Sequence, residues 1–421
     1  MTRIAGLLAA ALLASLLAFP APRASAQSPT PSLQAKSAIV VEASTGDVLY
    51  AKRSRDRRAI ASTTKLMTVL VALQRSDLDD VFSATGYSAG TAESQIGLRR
   101  GERMSVRDLL RAALLPSAND AAAAIAIGTM GSTQAFVAEM NRRAAALGLR
   151  DTHYTTPVGL DDPGNYSSAR DLAKLAIRLR RYEFFRRTTD LPSATLRSGS
   201  HKRVVINRNT LVRRVADVNG VKTGHTSRAG YVLVGSARRA GVTVVSVVLG
   251  EPSERARDTD SLALLRYGLS SYEARTALPE GRIVGKIGLR YRGGEFVDVV
   301  AGSTVRRVLR RETKTSVTVA GLPAEVDGPL PRGTKVATAT VRAGGKVLAR
   351  VPVVTARPVP EAGLGTRLAD LAGRSQTIIA LVLLLACSLP LLMLRRRAMR
   401  RRQALEAEHR RTRRREETPV S

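Results

Sequence analysis

The sequence predicts an α/β domain, followed by a small all-β module and a C-terminal transmembrane helix. Strand patterns at both ends of residues 36–272 enclose several helical patterns, which is typical of a domain whose sheet pairs its first and last segments. Short valine-rich runs separated by glycine and proline turns occupy residues 277–358 and indicate a β-rich module. An uncharged apolar stretch at residues 377–394 is long enough to cross a bilayer.

Length and composition exclude several classes of protein. A chain of 421 residues can bury substantial cores without disulfide bonds. Its one cysteine, Cys387, lies in the apolar C-terminal stretch, so there is no disulfide framework and no cysteine metal site. The four histidines are scattered and lack zinc-motif spacing. No glycine-rich phosphate loop occurs, and we expect neither a metal nor a cofactor.

The N-terminus has the pattern of a secretory signal peptide over residues 1–26. Arg3 precedes an apolar stretch, and the A-S-A sequence at residues 24–26 fits a cleavage site. An uncleaved anchor helix is the alternative, although the stretch is short and Pro20 follows it. Residues 27–35 then form a leader that begins rich in serine and proline. We expect the bulk of the chain to leave the cytoplasm.

Arginines directly after the apolar C-terminal stretch predict its orientation. The arginine-rich residues 395–421 indicate a cytoplasmic tail under the positive-inside rule; a buried core helix is the alternative. The formal net charge of +32 would favour nucleic-acid binding in a cytosolic protein. Outside the cytoplasm, the counter-charges are anionic lipids and wall polymers, or else a biased composition has produced solvated arginine faces without a partner. We expect a membrane partner through the C-terminal helix and no nucleic acid.

The elements of residues 36–272 follow in a simple order. Residues 38–51 indicate a β-hairpin with a turn at residues 44–47. Later β-rich runs at residues 231–236 and 242–249 are expected to complete the sheet. The helical patterns cover residues 63–74, 106–115, 120–127, 133–147 and 253–267.

The first motif that carries chemistry is S-T-T-K at residues 62–65, at the start of a helical pattern. The spacing of three places Ser62 and Lys65 on one helical face. A serine hydroxyl needs a base to become a good nucleophile, and a lysine can serve when its pKa is lowered. Alone the motif is weak, because Ser62 could simply be a helix N-cap.

The second motif is S-A-N at residues 117–119, in a break between two helical patterns. We expect this break to expose the Ser117 hydroxyl and the Asn119 amide on a loop. The hydroxyl could relay a proton, and the amide could hold both the lysine and a substrate amide. The alternative is a helix stop followed by an N-cap.

The third motif is K-T-G at residues 222–224, ahead of the next predicted strand. A lysine beside a threonine hydroxyl, Lys222 and Thr223, can seat a carboxylate. Gly224 would let a substrate approach the backbone closely.

The order S-x-x-K, S-x-N, K-T-G is far more specific than its parts. In the order of these motifs, the chain resembles the D-alanyl-D-alanine carboxypeptidase family of low-molecular-weight penicillin-binding proteins. The segments that carry the resemblance are A-S-T-T-K-L-M-T at residues 61–68, S-A-N-D-A at 117–121 and G-V-K-T-G-H-T at 220–226. The resemblance is strong over residues 30–270. It implies a β-lactamase/transpeptidase-like catalytic domain, with the later module as a stalk.

The resemblance also implies a two-step acyl transfer on peptidoglycan stem peptides that end in D-Ala-D-Ala. Ser62 would attack the carbonyl between the two D-alanines with Lys65 as proton acceptor, and water would hydrolyse the ester. Backbone N–H groups of Ser62 and His225 would form the oxyanion hole, and β-lactam antibiotics would act as covalent inhibitors. The implied catalytic residues are Ser62, Lys65 and Ser117, and the implied substrate-binding residues are Asn119, Lys222, Thr223, Gly224 and His225.

Departures from the family pattern keep two alternatives open. Ile60 stands where the family commonly has proline, and Val158 stands where members often carry histidine. An absent imidazole could weaken deacylation, so a catalytically slow wall-binding protein is one alternative. A β-lactamase is the other, and it generally needs a glutamate-activated water. The sequence shows no clear glutamate partner, since Glu183 does not lie in such a motif.

Overall fold

The structure is a computed structural model that describes residues 29–88, 90, 93–373 and 375–416. The predicted signal peptide, residues 1–26, lies outside the described residues, as do the first two residues of the predicted leader. The chain divides into two compact units. The first runs to Arg275 and includes Val308–Glu312; the second comprises Thr276–Arg307 and the chain from Thr313 onward.

Both units are built from strands and helices. In chain order, the strands are β1 (Ser37–Glu42), β2 (Val48–Lys52), β3 (Arg58–Ala59), β4 (Val81–Ser83), β5 (Arg103–Ser105), β6 (Tyr166–Ser167), β7 (Ser193–Leu196), β8 (Arg203–Ile206), β9 (Val218–Thr226), β10 (Gly230–Arg239), β11 (Val242–Glu251), β12 (Tyr272–Leu278), β13 (Ile283–Leu289), β14 (Phe296–Ala301), β15 (Val305–Arg310), β16 (Thr315–Ala320), β17 (Glu325–Val326), β18 (Lys335–Ala343) and β19 (Lys346–Thr355). The helices are a 3-10 turn at Ala61–Thr64 and α-helices at Lys65–Arg75, Val106–Leu114, Asn119–Met130, Thr133–Ala146, Ala169–Leu179, Glu183–Thr189, Leu211–Arg214, Glu254–Ser271, Leu364–Gly373 and Ser375–Glu416.

A five-stranded sheet in the order β2-β1-β11-β10-β9 forms the centre of the first unit. β1 pairs antiparallel with β11, with Val40 opposite Ser246, which confirms that the first and last segments share one sheet. Alternate residues point to opposite faces of a strand. Ile39 accordingly packs into one hydrophobic core and Val40 into another. Both faces of the sheet are therefore covered, which explains why every residue of β1 is buried.

Serine caps explain where several helices of this unit begin. The hydroxyl of Ser105 accepts a hydrogen bond from the backbone N–H of Asp108, and Ser132 does the same for Ala135. The helices predicted at residues 106–115 and 133–147 start as expected. The helix predicted from residue 63 begins instead as a 3-10 turn and becomes α-helical at Lys65.

The second unit contains a six-stranded sheet in the order β16-β18-β19-β14-β13-β17. Alternation along β18 turns Ala339 and Val341 into a valine-rich core, while Arg342 on the other face stays exposed. The predicted order of an α/β domain followed by an all-β module is confirmed.

The predicted membrane segment lies in the long helix Ser375–Glu416. Its part Ile378–Ala407 is long and apolar enough to be a candidate membrane span, and none of the apolar window is buried. Contiguous apolar surface of this kind is rare on water-soluble domains. The helix also continues through Pro390 and into the arginine-rich tail, which the sequence did not lead us to expect.

Candidate active site

A cavity of about 660 Å³ in the first unit brings the three motifs together. The edge strand β9 contributes the third motif, the 3-10 turn at Ala61–Thr64 contributes the first, and the start of the helix Asn119–Met130 contributes the second. Six of the eight predicted site residues line this cavity: Ser62, Ser117, Asn119, Thr223, Gly224 and His225. The other two, Lys65 and Lys222, are buried.

Ser62 and Lys65 are joined by a direct hydrogen bond. The ammonium Nζ of Lys65 lies 2.9 Å from the hydroxyl Oγ of Ser62. Ser62 is half-buried between fully buried neighbours and opens on the cavity. It caps no helix in this structure, so the interpretation of Ser62 as an N-cap is wrong. A serine and a lysine at this distance have the geometry that a nucleophile and its base require.

The other contacts of Lys65 determine where its lone pair can point. Besides Ser62, its Nζ contacts the Asn119 side-chain oxygen at 2.5 Å and the Val158 carbonyl oxygen at 2.7 Å. A neutral amine has two N–H groups and one lone pair, whereas a carbonyl oxygen can only accept. The two N–H groups must therefore face Asn119 and Val158, so the lone pair faces the hydroxyl of Ser62.

The environment of Lys65 makes its neutral form accessible near neutral pH. Burial is the main cause and lowers the pKa of Lys65 to about 7. The carboxylates of Glu93 and Asp120 act in the opposite direction, while Arg208 adds to the lowering. At pH values above about 7 the amine is free to take the proton of Ser62.

The second motif is buried, not exposed on a loop as predicted. Ser117 and Asn119 are only 3% and 4% exposed, because segment 93–98 covers them: Asn119 N donates to the Ser94 carbonyl. Asn119 begins a helix without a side-chain cap, so the N-cap alternative is wrong as well. The Ser117 hydroxyl has no hydrogen-bond partner among the described residues and remains available to a substrate.

Two residues of the first unit carry strained backbone beside the cavity. Ala61, directly before the nucleophile, has a φ of 47°, and Ser117 has a φ of 69°. Residues with a side chain adopt such values at a cost of about 1–3 kcal/mol. Strain of this kind clusters at active sites, and here it occurs at Ser117 and directly before Ser62.

The third motif lies inside β9 and differs from expectation at its lysine. Lys222 is 1% exposed, and its ammonium donates to the carbonyl of Thr223 at 2.9 Å. Burial, assisted by the nearby cations Lys65, Arg208 and Arg257, lowers the pKa of Lys222 well below its usual value. Lys222 therefore forms no open seat for a carboxylate. Thr223 does line the cavity, together with Arg208 and Arg257.

Gly224 brings β9 into contact with the nucleophile. A Cβ added at Gly224 would lie 2.9 Å from the backbone N of Ser62 and 3.0 Å from Ala61 Cβ, closer than ordinary packing allows. β9 is also an edge strand of its sheet, and an extended peptide can bind along such an edge. The site can thus hold a peptide beside an activated serine.

Comparison with known families identifies the chain. A family model described as D-alanyl-D-alanine carboxypeptidase matches residues 23–253, more than half of the 421 residues. The chain belongs to the D-alanyl-D-alanine carboxypeptidase family. A second model, described as the C-terminal domain of penicillin-binding protein 5, matches residues 272–361. The predicted family is confirmed, and the chain is a serine peptidase of that family.

Three relatives of this carboxypeptidase family member illustrate the similarity. D-alanyl-D-alanine carboxypeptidase DacF of Bacillus subtilis is 31% identical over 79% of this chain and 88% of its own length. The structure of penicillin binding protein 5 from Haemophilus influenzae aligns with a TM-score of 0.58 at 29% identity, covering 79% of this chain and all of that one. The Streptomyces K15 DD-transpeptidase structure aligns at 0.55 and 33% identity, covering 58% of this chain and all of that one.

Val158 has a backbone role in this member of the carboxypeptidase family. Its carbonyl oxygen accepts from Lys65, and its side chain is buried at 4% exposure. Any residue at this position supplies the same carbonyl, so the contact to Lys65 does not depend on the histidine that many members carry.

Glu93, Arg208 and Arg257 line the cavity and were missed by sequence reasoning. A glutamate does lie at the site, since Glu93 accepts a hydrogen bond from Asn119, but this contact does not make it the water-activating glutamate of a β-lactamase. These three residues lie outside the motifs, so only tertiary contacts bring them to the carboxypeptidase site. Within the part of the chain that the structure describes, no group of three or more His, Cys, Asp or Glu side chains could hold a metal ion.

Proposed function

We propose that the protein is a serine D-alanyl-D-alanine carboxypeptidase that removes the terminal D-alanine from peptidoglycan stem pentapeptides. The observation that carries the proposal is the position of the Lys65 amine, whose Nζ contacts Asn119 and Val158 and lies 2.9 Å from the Ser62 hydroxyl. Family membership supplies the substrate class.

The reaction follows from the positions of these groups. Ser62 Oγ attacks the carbonyl carbon of the penultimate D-alanine, and its proton passes to Lys65. The tetrahedral intermediate collapses by breaking the peptide C–N bond. The leaving amine takes the proton back from Lys65, directly or through Ser117, and D-alanine departs. Water then attacks the ester and restores the Ser62 hydroxyl.

The substrate would lie along the open edge of β9. Its terminal carboxylate would meet the Thr223 hydroxyl and the exposed guanidinium of Arg208, which line the cavity together. The backbone N–H groups of Ser62 and His225 would stabilise the oxyanion. This assignment moves the charge that holds the carboxylate from Lys222 to Arg208.

A membrane-attached position completes the proposal. We infer a signal peptide at residues 1–26, a spanning segment at residues 377–394, and a cytoplasmic tail at residues 395–421. The exposed apolar helix supports this arrangement. The catalytic unit would then face the outside of the cell membrane, where peptidoglycan lies.

The test is D-alanine release from a pentapeptide ending in D-Ala-D-Ala, combined with penicillin labelling of the full-length protein in detergent. We expect release, and a penicilloyl adduct on the tryptic peptide of residues 59–65, which contains Ser62. A labelled protein that releases no D-alanine would favour the slow wall-binding alternative. Rapid penicillin turnover without release would favour a β-lactamase.

Gly224→Ala is expected to lower kcat/KM for D-alanine release about 10²-fold. The new methyl group would press on the backbone N of Ser62 and on Ala61, which displaces β9 from the nucleophile. Steady-state kinetics and a thermal melt would measure the effect. The control is Gly293→Ala, since a Cβ there meets no atom within 4 Å. Wild-type kinetics in Gly224→Ala would mean that this approach is unimportant.

A further inference from the structure

Glu93 holds the amide of Asn119 through a short, charge-assisted hydrogen bond. Its Oε2 accepts from Asn119 Nδ2 at 2.6 Å and from the Tyr87 hydroxyl at 2.6 Å, and its Oε1 accepts from Gly90 N at 2.9 Å. Burial alone would raise the pKa of Glu93, but these three hydrogen bonds together lower it. The side chain is therefore an anion held in one orientation.

Backbone contacts attach the segment that carries Glu93 to the second motif. Asn119 N donates to the Ser94 carbonyl at 2.7 Å. The buried carboxylate of Asp120 accepts from Ile96 N at 3.1 Å and from Leu98 N at 3.0 Å. Glu93 thus reaches Asn119 from a segment that is itself hydrogen-bonded to the start of the helix Asn119–Met130.

The contact determines which way the Asn119 amide points. A carboxylate can only accept hydrogen bonds, so the NH2 group of Asn119 must face Glu93. The side-chain oxygen of Asn119 must then face Lys65, as it does at 2.5 Å. Without an anion at residue 93, neither orientation of the amide would be enforced.

A reversed amide would disable the base. It would present an N–H donor to Lys65, and the one lone pair of the neutral amine would accept from Asn119. Lys65 would then donate to Ser62 rather than take its proton. The orientation of one side-chain amide thus decides whether the lysine can act.

We propose that Glu93 is a positioning residue of this active site, which orients Asn119 so that the lone pair of Lys65 points at Ser62. This inference rests on the proposed function and adds to it a residue outside the three motifs. Glu93 touches no reacting atom in this role and acts through Asn119.

Glu93 also belongs to the set of charges that face Lys65. Burial and the cation Arg208 lower the pKa of Lys65, whereas Glu93 and Asp120 raise it; Lys222 is a further buried amine nearby, and its own pKa is lowered by burial. Removing the charge of Glu93 should therefore lower the pKa of Lys65 further. The neutral amine would then persist to lower pH.

The experiment compares Glu93→Gln and Glu93→Ala in the full-length protein, using the pH dependence of kcat/KM for D-alanine release and of the penicillin acylation rate. For Glu93→Gln we expect the plateau of kcat/KM at high pH to be about tenfold lower. We also expect the rise of kcat/KM with pH to begin at lower pH. For Glu93→Ala, which removes the acceptor as well, we expect a loss of about 10²-fold. Penicillin acylation reports on Ser62 even if the peptide is not a substrate, so failure of the proposed function remains distinguishable.

Glu183→Gln is the matched control, because Glu183 is exposed and pairs only with the surface residue Arg187 among the described residues. Thermal melts show whether each variant is folded. A folded Glu93→Ala protein with wild-type acylation and an unmoved acid limb would overturn the inference. So would a Glu93→Gln protein that acylates normally but deacylates slowly, since Glu93 would then activate the hydrolytic water instead.

Discussion

Ser62→Ala is expected to lower kcat/KM for D-alanine release by about 10⁴-fold or more and to abolish covalent labelling by penicillin. The substitution removes the attacking oxygen and one hydrogen bond, that of Lys65 Nζ at 2.9 Å. The remaining contacts of Lys65, with Asn119 and Val158, stay in place. We therefore expect the fold and the binding of the pentapeptide to persist while the chemistry stops.

Mass spectrometry and calorimetry can separate these effects. Intact mass after penicillin treatment reports acylation, and titration with the pentapeptide reports binding. Ser193→Ala is the control, since Ser193 lies exposed on β7. An adduct that survives in Ser62→Ala would contradict the assignment. The first residue to map would then be Ser117, which lines the same cavity and whose hydroxyl has no hydrogen-bond partner within the described part of the chain.

The assembly of the candidate site was predictable because its residues lie in three short motifs. Spacing alone brings Ser62 and Lys65 together, since residues three apart share a helical face. The burial of Asn119 and the burial of Lys222 away from the cavity were not predictable in the same way. Both depend on segments far along the chain: residues 93–98 cover the second motif, and the neighbouring strand β10 pairs with the third.

Glu93 shows the limit of sequence reasoning most clearly. It lies 26 positions before Asn119 in a segment that belongs to no helix or strand. No periodicity marks it. Its place beside the site comes from the backbone hydrogen bonds that Asp120 accepts from Ile96 and Leu98, and such pairings cannot be inferred from local pattern.

Elements of the fold that depend on local sequence were predicted, whereas a strand that depends on tertiary contacts was missed. Apolar periodicity predicted the helices at residues 106–115 and 133–147, because it is a signal within a few turns of the chain. β9 was missed as a strand, since its sequence V-N-G-V-K-T-G-H-T includes glycine and asparagine, which are poor strand formers. Antiparallel pairing with β10, in which Thr223 lies opposite Leu233, outweighs that local preference. The third motif thus gains its extended form from its neighbour.

Lys65→Met is expected to slow penicillin acylation and D-alanine release between about 10²- and 10⁴-fold, the range for loss of a general base. Methionine keeps an apolar stem in a fully buried position and removes only the amine. It leaves the Asn119 oxygen and the Val158 carbonyl without their donor, which costs about 1–3 kcal/mol for each unsatisfied group. We expect a lower melting temperature in a folded protein.

The pH profile tests the role of Lys65 as a base. Because the pKa of Lys65 is about 7, the neutral amine is populated above that value, and wild-type kcat/KM should rise with pH through about 7. The rise should vanish in Lys65→Met.

Lys65→Arg should be similarly inactive. A guanidinium preserves the positive charge but keeps its proton, so it cannot act as a base. The control is Lys286→Met, at an exposed site. An active Lys65→Arg enzyme would show that the positive charge matters instead of the lone pair, and the orientation of Asn119 by Glu93 would then have no catalytic consequence.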